Sequence, residues 1–439
     1  MQKFVGYRCS LCGAEYAPDE VTYTCPKDGG NLDVVLDYAA LKRRGAADLI
    51  LKDDPSLWRY LPLLPVGDPG GNATPLRRAG GTPLYAPPRL ARSLGLTRLW
   101  VKDESPNPTA SFKDRASSVV VARAREIGAE VVVTASTGNA GAALAGMAAA
   151  VGHKAVIFAP KTAPPAKIAQ LRVFGAEVLL VEGNYDAAFD LSIEAAEAFG
   201  WYCRNTGYNP FTAEGKKTAA FEIWEQVAAW GNKEFGNGVT SIPSSAHPVT
   251  QLPTHPVTPL HIFVSVGDGN IISGLHKGFK DLQALGLLDS IGGMPRIFGV
   301  QSVNSAAIAN AFEAGTEEIR PVHATTLADS ISVDLPRDGV RAVRAARQTG
   351  GAYLTVSDEA ILEAIPALGR VGIFAEPAGA TAYAGLLKAV EEGLIAPEDP
   401  VVVINTGSGL KDVKSAMRAA GEAPVIAPTL EAVKRVIGD

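Results

Sequence analysis

Residues 130–152 read EVVVTASTGNAGAALAGMAAAVG, and this stretch decides the fold class. Its opening, Glu130 to Thr134, is a continuous apolar and β-branched run without the alternation of a half-exposed strand. A turn of small residues follows, Ser136-Thr137-Gly138-Asn139, and then an Ala-rich helical pattern. A strand that is apolar on both faces and passes directly into a helix is the repeating unit of a parallel sheet covered on both sides.

The same unit recurs along the chain. TRLWVKD (97–103), KAVIFAP (154–160), AEVLLVEG (176–183), HIFVSVG (261–267), RIFGVQ (296–301) and PVVVINTG (400–407) are short apolar runs, each followed by helical spacing. FKDRASSVVVARAREIG (112–128) shows that spacing and ends at a glycine. The reading is an α/β chain with open, doubly wound parallel sheets in two lobes. The catalytic region would span 97–439, with a smaller, mobile lobe at about 130–205 and the large lobe around it. Residues 1–38 form a separate cysteine-bearing segment. Residues 39–96 read as a helical and linker region joining the large lobe, and their Pro- and Gly-rich tract 61–82 reads as a linker or lid. The stretch 236–260, in which HPVT occurs twice, is rich in Pro, Ser and Thr and reads as a surface insertion.

Composition narrows the function classes. The 439 residues carry 41 Lys and Arg against 46 Asp and Glu, a net charge of −5, which argues against nucleic acid as the main partner. No apolar run reaches the ~18–20 residues of a membrane span, and the opening MQKFVGYRCS lacks a signal-peptide core. Four cysteines in this length make no disulfide framework, so the expected compartment is a reducing cytoplasm.

Ligands of open parallel sheets bind outside the carboxyl ends of the strands. Four strand ends carry unusual residues. The first is Asn107-Pro108-Thr109-Ala110-Ser111-Phe112-Lys113-Asp114-Arg115. A lysine opening a helix is disfavoured by the helix dipole, so Lys113 is either a surface residue on the flank or an amine of lowered pKa suited to imine formation. The second is the loop Ser136–Asn139, whose outward N–H groups suit a carboxylate. The third, Gly267-Asp268-Gly269-Asn270, is a Gly-rich turn that could cradle phosphate, although it is neither GxGxxG nor a P-loop. The fourth offers the hydroxyl of Thr406 after PVVVI. An imine lysine, a carboxylate nest, a phosphate nest and a hydroxyl together match what pyridoxal phosphate needs when it handles an amino acid. In the front segment, Cys9-x2-Cys12 and Cys25-x2-Asp28 have zinc-ribbon spacing, with Asp28 where a fourth cysteine is expected. The alternative is a hairpin held by its own packing. Cys203 reads as a buried small apolar residue.

NPTASFKDR (107–115), ASTGNAG (135–141), VGDGNI (266–271), EPAGA (376–380) and NTGSGLKD (405–412), in this order, resemble the threonine synthase family of fold-type-II pyridoxal phosphate enzymes. The resemblance runs from about Thr82 to Asp412. It implies a tryptophan synthase β-like pair of lobes, commonly dimeric, and Lys113 as the catalytic lysine joined to the cofactor. Asn139 would meet the pyridine 3′-oxygen, Gly267, Asp268, Gly269 and Asn270 the cofactor phosphate, and Thr406 the ring nitrogen. Ser136 and Thr137, with Asn205 and Thr206, would hold the substrate. The implied reaction takes O-phospho-L-homoserine and water to L-threonine and phosphate. One position departs from the family. Thr212 stands where an arginine grips the substrate phosphate, so either Lys102, Arg115, Lys216 or Lys217 supplies that charge, or the substrate is another amino acid. A cysteate synthase-like or threonine dehydratase-like enzyme is the nearest alternative. A cofactor-free binding protein would have no use for Lys113, and a nicotinamide dehydrogenase would need a GxGxxG that is absent.

Overall fold

A computed structural model describes residues 4–163, 165–231 and 258–438. The apolar runs become strands of two sheets. The larger has the order Tyr353–Val356, Arg296–Ser302, His261–Ser265, Pro400–Asn405, Arg98–Asp103 and Leu84–Tyr85. All its pairings are parallel except the last, where Leu84–Tyr85 runs antiparallel against Arg98–Asp103. The smaller sheet is wholly parallel: Glu177–Val181, Lys154–Pro160, Val131–Ala135, Tyr202–Cys203.

The unbroken apolar letters have a direct physical reading. In the large sheet Ile262, Val264, Val402 and Ile404 enter one core, and Phe263, Val401, Val403 and Val101 enter another on the opposite face. Helices Asn270–Leu285 and Gly339–Thr349 cover the first face, and Asp358–Gly369 with Pro377–Glu391 cover the second. Residues of both parities are buried, so no alternation is written into the strand. The edge strand Glu177–Val181 differs, because Leu179 and Leu180 on it stay exposed.

Three short strands escape the periodicity, Leu84–Tyr85, Tyr202–Cys203 and Tyr353–Val356; the first two are too short to carry a period. Nor does the tract 61–82 hang free as a linker or lid. Leu63, Leu64, Val66, Leu76 and Ala79 are buried in the main core, and Trp58 Nε1 donates to Leu76 O at 3.0 Å. The front segment is an antiparallel three-stranded ribbon, Glu15–Tyr16, Phe4–Cys9 and Leu32–Leu36. The Pro-rich stretch read at 236–260 lies, up to residue 257, outside the described residues. Among the described residues no helix is long and apolar enough to cross a membrane.

Candidate active site

The carboxyl ends of strands from both parallel sheets open onto one cavity of about 410 Å³. Such a volume suits a cofactor together with a small substrate. It is lined by the ends of Val131–Ala135, Lys154–Pro160, His261–Ser265 and Pro400–Asn405 and by the start of helix Lys113–Glu126. Lys113, Ser136, Thr137, Asn139, Gly267, Asp268, Gly269, Asn270, Thr206 and Thr406 all reach it.

Backbone pairing sets Lys113 in place. The loop before it is knitted to the loop after Asn405: Phe112 N donates to Thr406 O at 2.9 Å, and Ser408 N donates to Ala110 O at 3.1 Å. Ala110 takes φ +64°, a left-handed conformation rare for a residue with a Cβ. Thr109 N and Oγ1 both donate to the buried Asp114 carboxylate, which braces this turn. The helix therefore starts with its first side chain at the cavity wall. Lys113 Nζ has no hydrogen bond or ion pair among the described residues. Burial, then the nearby Arg204 guanidinium, pulls its pKa down to about 8.

The turn opposite is shaped by its glycines. A Cβ at Gly267 would lie 2.8 Å from the Ile331 Cα, and one at Gly269, which has φ +89°, would lie 2.7 Å from Asp338 O. Glycine keeps the main chain of 267–269 open at the N-terminus of helix Asn270–Leu285, where an anion is favoured. The side chains around it are spent on structure. Asn270 Oδ1 accepts from Lys216 Nζ at 2.5 Å and from Thr212 Oγ1 at 3.1 Å, and its Nδ2 donates to Asp338. The Asp268 carboxylate accepts from Arg337 N at 3.3 Å, and burial raises its pKa.

These features fit pyridoxal phosphate: an unpartnered amine, a glycine turn at a helix N-terminus, and a Thr406 hydroxyl that makes no hydrogen bond among the described residues. One detail qualifies the role given to Asn139. Its Nδ2 donates to Glu376 Oε1 at 2.7 Å and Ser330 Oγ at 3.1 Å, so meeting a ring oxygen means exchanging one of these.

Two expectations fail. Lys102 is fully buried away from the cavity, its Nζ donating to Thr82 O, Glu222 and Gln226. It cannot grip a substrate without abandoning that cluster. Asn205 ties the small lobe together instead of facing a ligand. Its Oδ1 accepts from Thr134 Oγ1 and Ala135 N, and its Nδ2 donates to Ser192. Of the other cations considered in place of an arginine at 212, Arg115 is paired with Glu104 and Glu222, and Lys217 with Glu214 and Asp281. Only Lys216 lines the cavity, its pKa driven well down by burial and by Lys113 and Arg204.

Among the cavity-lining residues that the sequence analysis gives no role are Arg204 and Glu376. Arg204 is buried there, its Nη1 donating to Thr206 Oγ1 at 2.6 Å while its Nη2 has no hydrogen-bond partner among the described residues. Its signal is an arginine at the end of a strand, but that strand is only Tyr202–Cys203. Glu376 sits just ahead of helix Pro377–Glu391, and burial raises its pKa to about 7. An acidic residue before the proline that opens a helix is its mark.

Comparisons with known proteins agree with this geometry. Residues 76–407 match the family described as pyridoxal-phosphate dependent enzyme. The chain is 37% identical to the threonine synthase of Methanocaldococcus jannaschii over 433 residues, 98% of each chain. It is 37% identical over 434 residues, again 98% of each, to that of Methanosarcina acetivorans. Among solved structures, the processed form of threonine deaminase isoform 2 from Solanum lycopersicum superposes with a TM-score of 0.61 at 23% identity. That match covers 77% of this chain and 82% of the other and speaks to the fold alone.

Proposed function

The chain belongs to the threonine synthase family of pyridoxal-phosphate dependent enzymes, and from that membership we propose how its cavity works. The reaction turns O-phospho-L-homoserine and water into L-threonine and phosphate. The observation that carries the site assignment is the unpartnered Lys113 amine sharing one cavity with the open glycine turn at 267–269.

Bound pyridoxal phosphate supplies an electrophilic carbonyl carbon and an electron-accepting ring. The rest falls to the chain. The amides of Gly267, Asp268, Gly269 and Asn270 hold the cofactor phosphate, with Asp268 contributing its main chain only, since its carboxylate would repel an anion. Thr406 would offer the ring nitrogen a neutral hydroxyl in place of a carboxylate, which would not favour its protonation. Ser136, Thr137 and the amides leading into helix Asn139–Ala149 hold the substrate carboxylate.

Lys113 would carry the cofactor, and its amine, when free, would move protons at the substrate's α and β carbons. Burial, then Arg204, lowers its pKa to about 8, closer to neutrality than a surface lysine, which suits an amine that must both give and take a proton. Arg204 and Lys216 hold the γ-phosphate where the family's arginine is missing. Both are buried cations that make no ion pair among the described residues, and Thr206, which accepts from Arg204, adds a hydroxyl.

The substrate is thus a small amino acid bearing a phosphate, processed in cytoplasmic amino-acid biosynthesis; four free cysteines suit that reducing compartment. The family resemblance extends to a homodimer, and the exposed Leu410, Met417, Leu430 and Ile437 are apolar surface a second copy could cover. Incubation with O-phosphohomoserine is expected to release threonine and phosphate in equal amounts. Phosphate with 2-oxobutyrate, or no turnover, would overturn the substrate assignment.

A further inference from the structure

The chemistry above makes no use of the N-terminal ribbon. Its two turns are built alike. Gly13 N donates to Cys9 O at 3.1 Å and Gly29 N to Cys25 O at 2.8 Å, and the two glycines take φ +72° and +70°. Each turn therefore has a ligand-type residue at its first position, another three residues on, and a left-handed glycine next. Asp28 occupies in the second turn the place that Cys12 occupies in the first.

The two turns face each other. Sγ of Cys9, Cys12 and Cys25 and a carboxylate oxygen of Asp28 all lie within 4.8 Å of one another. Cys12 and Cys25 sulfurs are 3.8 Å apart, and Cys9 Sγ is 3.3 Å and 3.6 Å from the two Asp28 oxygens. A disulfide needs about 2.05 Å, so the cysteines are not bonded. Tetrahedral zinc, with Zn–S of ~2.3 Å and Zn–O of ~2.0–2.2 Å, puts sulfurs about 3.8 Å apart and sulfur and oxygen about 3.5 Å apart. The Cys12–Cys25 and Cys9–Asp28 separations match such a shell, and the remaining ligand pairs lie within 4.8 Å. A second layer supports it. Leu11 N donates to Cys9 Sγ at 3.3 Å, Gly30 N to Asp28 Oδ1 at 2.9 Å, and the Tyr16 hydroxyl lies 3.0 Å from Cys25 Sγ. A Cβ at Gly30 would come within 2.8 Å of Cys9 Sγ, so glycine keeps the shell compact.

We infer that Cys9, Cys12, Cys25 and Asp28 form a structural zinc site, three thiolates and one carboxylate with no open position. It acts at a distance from the reacting atoms. Asn31 Nδ2, on the same ribbon, donates to both Gly207 O and Arg337 O. Tyr23 accepts from Cys203 N at 2.9 Å and stacks on Tyr208 at 4.6 Å. The zinc-held ribbon thereby braces the segment that carries Arg204 and Thr206.

The test uses the full-length holoenzyme purified without chelator. Metal analysis should find one zinc per chain, and cobalt in its place should give thiolate charge-transfer absorption in the near ultraviolet. Cys12→Ser, at an exposed ligand, should lose the metal, and Asp28→Cys should keep it. Tyr16→Phe should weaken zinc affinity by about tenfold. Zinc-depleted enzyme should show a raised KM for O-phosphohomoserine with kcat little changed. Protein that retains no zinc after zinc loading and gel filtration, or Cys12→Ser with full metal content, would overturn the assignment. Metal content is read whatever the turnover, so this test stands apart from that of the reaction.

Discussion

Lys113 and Arg115 stand two residues apart on the first turn of one helix, both are cations, and their surroundings are opposite. Arg115 is fully buried and donates to both oxygens of Glu104, both of Glu222, and the hydroxyls of Thr82 and Thr218. Lys102 joins the same cluster through Glu222. Every charge there is matched, and Arg115 is held more firmly protonated than in water. On the cavity side Lys113, Lys216 and Arg204 make no ion pair among the described residues, and burial pulls all three pKa values down although Asp268 on the same wall partly opposes it. A buried charge with all its partners is architecture, whereas a buried charge left open is waiting for a ligand.

The largest expected effect breaks the open side. Lys113→Ala should cut turnover by roughly 1,000-fold or more, because it removes both the cofactor's anchor and the base. Its unfolding midpoint should stay unchanged or rise, since an unpartnered buried cation is lost. Steady-state assay and urea unfolding of the same preparation read both; retained turnover would remove Lys113 from the chemistry.

The matched side should respond the other way. Glu222→Ala leaves Arg115 and Lys102 short of an anion inside the protein and should destabilise it by about 3–5 kcal/mol. Urea unfolding at neutral pH measures this. A loss under about 1 kcal/mol would mean that the cluster relaxes or admits water.

The same contrast separates what the amino-acid sequence makes legible from what it hides. Strands buried on both faces spell themselves as unbroken Val and Ile runs, so the central strands of both sheets are legible, and the glycine turn and Lys113 stand out at their ends. Pairing is not legible. Lys102 at a strand end looks the same whether or not it meets Glu222, 120 residues further on. Asn205 is expected from the family resemblance to hold the substrate, yet it strings Thr134, Ala135 and Ser192 together across the small lobe. Arg204 stays hidden because a two-residue strand leaves no pattern to mark its end. Unmatched charge is a property of the assembled fold.

Arg204→Met sharpens the comparison within the open side. It keeps the length of the side chain and removes a cation that donates to the hydroxyls of Ser117 and Thr206. A charged hydrogen bond is worth about 1.5–3 kcal/mol, so kcat/KM for O-phosphohomoserine should fall roughly 10- to 100-fold. The loss should appear in KM, and folding stability should not fall. A variant with normal kcat/KM would hand the phosphate to Lys216 alone.

The smallest effect concerns Glu376, the acid on the cavity wall, and its sign distinguishes the two clusters. Burial raises its pKa from 4.5 to about 7 in the folded chain. Between those values the folded protein holds a proton that the unfolded chain has released, so this group's contribution to stability falls as pH rises from 4.5 through 7. Asp281, matched with Lys217 and Lys277, is displaced the other way, to about 2. Its contribution is present above pH 3.8 and lost as pH falls through 2. Glu376→Gln keeps an oxygen to accept from Asn139 and removes the titration. The variant should match the parent at pH 5 and exceed it by about 1–3 kcal/mol at pH 8, measured by urea unfolding of cofactor-free protein. Equal stabilities at both pH values would mean that Glu376 is already ionised at pH 5.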